Sequence, residues 1–97
     1  MSIEEQDAIV GRLIRQRSEA AKQIALTGAE LERISELFRA IAEALRLFGV
    51  KKPNQQVEED LRSVDLNRIL ALMTECRTAI VQRDQAIEKL QQLGINV

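Results

Sequence analysis

Arg12, Arg15, Glu19 and Lys22 follow one another at three- and four-residue steps in GRLIRQRSEAAK, so a helix would carry them on one face. Arg12, Arg15 and Lys22 could neutralise phosphates, and paired antiparallel helices can follow an RNA or DNA backbone by its shape. No aromatic residue is interleaved for base stacking, and Glu4, Glu5 and Asp7 upstream dilute the positive field. The alternative is a solvated face on which Arg15 pairs with Glu19. Glu36–Arg39, Arg39–Glu43 and Glu43–Arg46 have the spacing of similar surface pairs, each worth a few tenths of a kcal/mol.

Other chemistry finds few residues to work with. The 97-residue chain has no His, which removes the commonest general base, the usual nucleophile–His pairs and most zinc sites. The four Gly, at 11, 28, 49 and 94, are isolated rather than gathered into a phosphate loop. Cys76, the lone cysteine, sits between Met73 and Ile80 at helical spacing and reads as a packed thiol rather than a nucleophile. The expectation is a protein that is not an enzyme, with no cofactor, metal or small-molecule substrate. A net charge of −1 gives no overall attraction to nucleic acid or anionic membrane. No apolar run reaches membrane-span length, the acidic start MSIEEQDAIV lacks a signal-peptide pattern, and a single Cys suits a reducing cytoplasm.

The elements that must position these residues are helices. Ala, Leu, Ile, Glu, Arg and Gln dominate, with one Pro, which predicts an all-α fold. Ser2 and Glu5 make a capping box. From there one heptad seam runs through Ile3, Val10, Arg17, Ile24, Leu31, Phe38 and Leu45. Its companion runs through Gln6, Leu13, Ala20, Thr27, Ile34, Ile41 and Phe48. The spacing predicts a first helix over about 3–48, stopped by Gly49 with Lys51, Lys52 and Pro53 beyond. Thr27-Gly28-Ala29-Glu30 is a second capping box, so the helix either kinks at Gly28 or divides there; the unbroken heptad phase favours one helix. Ala21, Gly28, Ser35, Ala42 and Gly49 form a small-residue stripe beside the seam, suited to close packing.

A connection over about 49–62 includes Val57, Leu61 and Val64, spaced for a turn or two of separate helix. Ser63, followed by Asp65, is the expected cap of a second long helix over about 63–93. Its seam reads Leu66, Ile69, Met73, Cys76, Ile80, Arg83, Ile87 and Leu90, flanked by Leu72, Ala79, Ala86 and Leu93.

Two such helices make a long antiparallel, coiled-coil-like hairpin. Their lengths differ, roughly 70 Å against 45 Å. With Phe48 beside Leu66, residues 3–19 would project, leaving Ile9, Val10, Leu13 and Ile14 uncovered. The apolar faces are also too wide for two helices. A dimeric four-helix bundle of one domain, 1–97, follows, its partner being a second copy or another helical protein. Arg17 and Arg83 occupy seam positions, where an unpaired guanidinium is costly. The register places Arg83 against Glu30 and leaves Arg17 to find its acid on another chain.

This architecture is similar to the Rop type of hairpin-dimer RNA-binding regulators, a likeness of shape without a shared motif. Size and shape are also similar to small secreted hairpins with a W-x-G turn, but Leu47-Phe48-Gly49-Val50 lacks the Trp, and no function carries over. The leading expectation is a cytoplasmic protein–protein interaction module, acting as adaptor, subunit or regulator through Ile9, Val10, Leu13, Ile14 and Arg17. The alternative is a nucleic-acid-binding regulator using Arg12, Arg15 and Lys22.

Overall fold

The computed structural model describes residues 2–50 and 55–96, and all their regular structure is helical. α1 runs Ile3–Leu47, α2 Gln55–Ser63 and α3 Leu66–Gln92. α1 and α3 pack as an antiparallel hairpin, with α2 against the far end of α1.

Ser2 caps α1, its hydroxyl accepting from the Glu5 amide at 3.1 Å. α1 passes through Gly28 without interruption, and the reason lies in Thr27. Its hydroxyl donates to the Gln23 carbonyl at 2.8 Å, the bond of a helix-interior threonine rather than of a cap. That bond also satisfies Thr27 itself, the one buried polar residue among the described residues. α1 ends in a tight turn, Val50 donating to the Leu47 carbonyl, and Gly49 keeps an ordinary φ. Lys51, Lys52 and Pro53, read as part of the stop signal, lie outside the described residues.

The cap of α3 is Asp65, whose carboxylate accepts from the Arg68 amide at 3.0 Å. Ser63 does not cap it: its hydroxyl donates to the Asp60 carbonyl in the last turn of α2. α3 closes with a Schellman motif, in which Ile95 donates to Leu90 and Gly94 to Gln91. Gly94 supplies the left-handed φ of 79° that this motif needs.

α2 changes the register of the hairpin. Val57 is buried, so this short helix covers a stretch of α1 that the sequence register gave to α3. As a result Ile34 and Leu37 line one recess with Val64, Asp65 and Ile69. Leu66 therefore lies about two heptads nearer the α1 N-terminus than a contact with Phe48 would place it. The slip keeps the three- and four-residue spacing of the faces but turns α3, so that a different line of it comes to the centre.

Two contacts fix the new register. Gln16 donates to the Gln82 carbonyl at 3.0 Å, and Arg68 pairs with Glu30 at 3.3 Å. Leu13 then stands level with Ala86, Ala20 with Ala79, and Thr27 with Leu72, all of them buried. Small residues opposite one another let the two backbones approach closely. The expected Arg83–Glu30 contact is absent, because Glu30 meets Arg68, about two heptads earlier and on the other flank of α3, and Arg83 turns to Asp84 at 3.2 Å.

Candidate functional site

The buried line of α1 is Leu13, Ala20, Thr27 and Ile41; that of α3 is Leu72, Ala79, Ala86 and Leu90. On α3 the stripe read as flanking is thus central. Leu66, Met73 and Ile80, read as seam, are exposed instead. This rotation decides which apolar residues remain for a partner.

The hairpin has two flanks. Gln16 and Glu30 lie on one side of the α1 core line, and their partners Gln82 and Arg68 lie on the matching side of α3. This flank is polar. A groove there, about 700 Å³ in volume, is lined by Arg12, Arg15, Gln23, Gln85 and Lys89 among others. Arg12 and Arg15 thus share a groove with Lys89, a residue the sequence reading passed over. Lys22 does not line it. Glu19 lies in the same groove, no Arg15–Glu19 ion pair forms, and Arg15 donates instead to the Gly11 carbonyl at 3.4 Å. Of the expected surface pairs, Glu43–Arg46 forms, at 2.7 Å.

The other flank is apolar. From α1 it receives Val10, Ile24 and Leu31, half-buried, and Phe38 and Leu45, 40% and 52% exposed. Ile14 joins them at 40% on the next line out. From α3 come Leu66, Met73 and Ile80, with Leu70 beside them; Leu66 is 65% exposed. The small-residue stripe runs along this flank and is not used within the chain. A Cβ added at Gly28 would meet nothing within 4 Å, and the same holds at Gly49.

Among the expected interface residues, Leu13 needs correction. It is 6% exposed, because the shifted register carries α3 down to Ile9 and Leu13, which line a recess with Lys89, Gln92 and Leu93. The projecting part of α1 is therefore only its first two turns. Val10, Ile14 and Arg17 remain on the apolar flank; Ile9 lies on the other side of the core line, half-buried by α3.

Arg17 and Arg83 interrupt this flank. One residue on from the Gln16–Gln82 contact, they stand at the same level of the hairpin, both half-buried. Arg83 has Asp84; Arg17 makes no ion pair among the described residues. Cys76, further along the same side of α3, is free and half-buried.

The molecule measures 72 × 21 × 13 Å, with a radius of gyration of 21.1 Å, against about 12.5 Å for a compact chain of this length. Its accessible surface is 7500 Å², where a compact chain of this mass exposes about 5,600 Å². Among the described residues no helix is long and apolar enough to cross a membrane. No family model, curated protein or solved structure gives a significant match to the chain.

Proposed function

We propose that this chain is a non-catalytic protein–protein interaction module, an adaptor, subunit or regulator, whose apolar flank is completed by helices from outside the hairpin. The observation that carries this reading is the row of exposed Phe38, Leu45, Leu66 and Met73 on one flank, while Leu26 and Val81 are exposed singly elsewhere. A row of large exposed apolar side chains marks an interaction surface. Two further helices laid on the flank would make a four-helix bundle, and the two-layer packing would remove much of the excess surface. A second copy of the chain or a different helical protein could supply them, and a cytoplasmic setting suits the unpaired cysteine.

Sedimentation across a wide concentration range tests the reading. Interference optics are needed, because the chain has no Tyr or Trp. The expected result is self-association, or uptake of a helical partner, that weakens when Phe38 is changed to Asp while helicity is kept. A monomer that takes up no amphipathic helix would refute it.

A second reading rests on the polar groove, where Arg12, Arg15 and Lys89 face one space. There the protein would hold a nucleic-acid backbone. Mixed-sequence RNA or DNA should then bind at low salt, with affinity falling steeply as salt rises. The joint change of Arg12, Arg15 and Lys89 to Ala should abolish it. No binding at low salt removes this reading.

A further inference from the structure

The polar flank gathers three cations in one groove. The side chains of Arg12 and Lys89 make no ion pair among the described residues, and Arg15 reaches only the Gly11 carbonyl. With Leu13 level with Ala86, Lys89 stands level with Val10. The three charges therefore fall between the levels of Val10 and Arg15, roughly 8 Å of helix axis. Lys22 stands outside the groove.

Carboxylates close this positive zone at both ends. Glu5 stands one heptad before Arg12 on the same line of α1, and Glu19 one heptad after it. On α3 the line of Lys89 and Gln82 continues to Glu75. A duplex strand brings a phosphate about every 3.4 Å, so roughly two would meet the cations before the strand ran on to the acids. A compact anion avoids that repulsion.

The rest of the groove says what such an anion should carry. Past the cations it is lined by Gln16, Gln23, Gln82 and Gln85, with Glu19. No aromatic or large apolar side chain lines it, so a flat base finds nothing to stack on. Glutamine amides donate and accept, and a carboxylate accepts; a lining of this kind satisfies hydroxyl groups. Gln16 is already held in place by its bond to the Gln82 carbonyl. At about 700 Å³ the groove lies in the size range of small-molecule sites.

We infer that this groove binds a phosphorylated sugar or polyol, its phosphate among Arg12, Arg15 and Lys89 and its hydroxyls along the glutamines. Arginine forks match phosphate oxygens in pairs. Glu19 orients the ligand, because it repels the phosphate toward the cation end and accepts from a hydroxyl at the other. The site stands apart from the interaction-module reading. It gives to a small ligand the groove that the nucleic-acid reading gives to a strand.

Equilibrium dialysis of the full chain at low salt, against glucose 6-phosphate, inorganic phosphate and glucose, tests this. Glucose 6-phosphate should bind about tenfold tighter than phosphate, the worth of one or two hydrogen bonds, and glucose more weakly than either. Lys89→Gln and Lys22→Gln remove the same charge from exposed positions, but only Lys89 lines the groove. The first should weaken glucose 6-phosphate about fivefold or more, the second less than about twofold. The joint change of Gln23 and Gln85 to Leu should bring glucose 6-phosphate down to the affinity of phosphate. Failure to retain glucose 6-phosphate overturns the inference. So does equal retention of phosphate and glucose 6-phosphate, a comparison that needs no variant to fold. Equal loss in the two lysine variants overturns it as well, since the charge then acts diffusely. A mixed-sequence RNA that displaces glucose 6-phosphate and binds tighter with length overturns it in favour of a strand. None of these results bears on the apolar row, whose test is the state of association.

Discussion

Leu90→Ala is expected to lower the stability of the hairpin by about 2–5 kcal/mol. Leu90 is 0% exposed, beside the level at which Leu13 meets Ala86. Its carbonyl also accepts from the Leu93 and Ile95 amides in the turn that closes α3, so its backbone is fixed and the emptied space cannot easily collapse. Among the described residues, three of the eight buried apolar ones are alanines, which leaves a few large side chains to supply most of the burial. In a chain of this size each kcal/mol corresponds to about 4–8 °C in thermal midpoint, so the midpoint should fall by ten degrees or more, on the order of the lower end of that estimate. Leu26→Ala is the matched control: Leu26 is 62% exposed, and its loss should stay within about 0.5 kcal/mol. Thermal melts followed by far-ultraviolet circular dichroism at one fixed protein concentration separate the two. Equal midpoints would show that α3 does not bury Leu90.

The hairpin and its long first helix were legible in the sequence, because a heptad held in phase from Ile3 to Phe48 leaves few other ways to bury its face. The axial register was not. Whole-heptad slips are nearly degenerate in an apolar pattern, and the slip was decided by Val57, a single apolar residue whose short helix takes up part of α1. The flank was misjudged on α3 for a related reason. Leu66, Met73 and Ile80 are larger than Ala79 and Ala86, and size suggests burial; but close packing against Ala20 selects the small residues for the centre and turns the large ones outward. Polar seam residues fared unevenly. Arg17 and Arg83 do stand on the hairpin's apolar side, as their heptad positions require, but the acid expected for Arg83 belonged to a register that α2 displaces. Lys89 escaped notice because only the folded hairpin brings it near Arg12 and Arg15.

Leu13 and Ile14, adjacent in sequence, should separate folding from docking. Leu13→Asp places a carboxylate beneath α3 at a position 6% exposed; Arg12 and Lys89 line the same recess, but the core side chains of Ala86 and Leu90 offer it no hydrogen bond. Burial of a charge costs several kcal/mol, a large part of the roughly 5–15 kcal/mol that holds a domain together. The expected outcome is loss of cooperative unfolding and a large drop in helicity, with any failure to associate following from the lost fold. Ile14→Asp points the same carboxylate into the apolar flank, at a position 40% exposed, where solvent reaches it in the isolated chain. Helicity and thermal midpoint should change little, within about 0.5 kcal/mol, while association with a covering helix weakens by tenfold or more, since about 1.4 kcal/mol is enough for that factor. Circular dichroism and sedimentation on the two variants decide the matter together. If Leu13→Asp keeps its fold and loses only association, α3 does not reach the start of α1, and the longer projecting arm of the sequence register is restored. If Ile14→Asp associates as the wild type does, the covering helices lie on the other flank, beside Arg12, Arg15 and Lys89, and the polar groove becomes the surface through which the protein works.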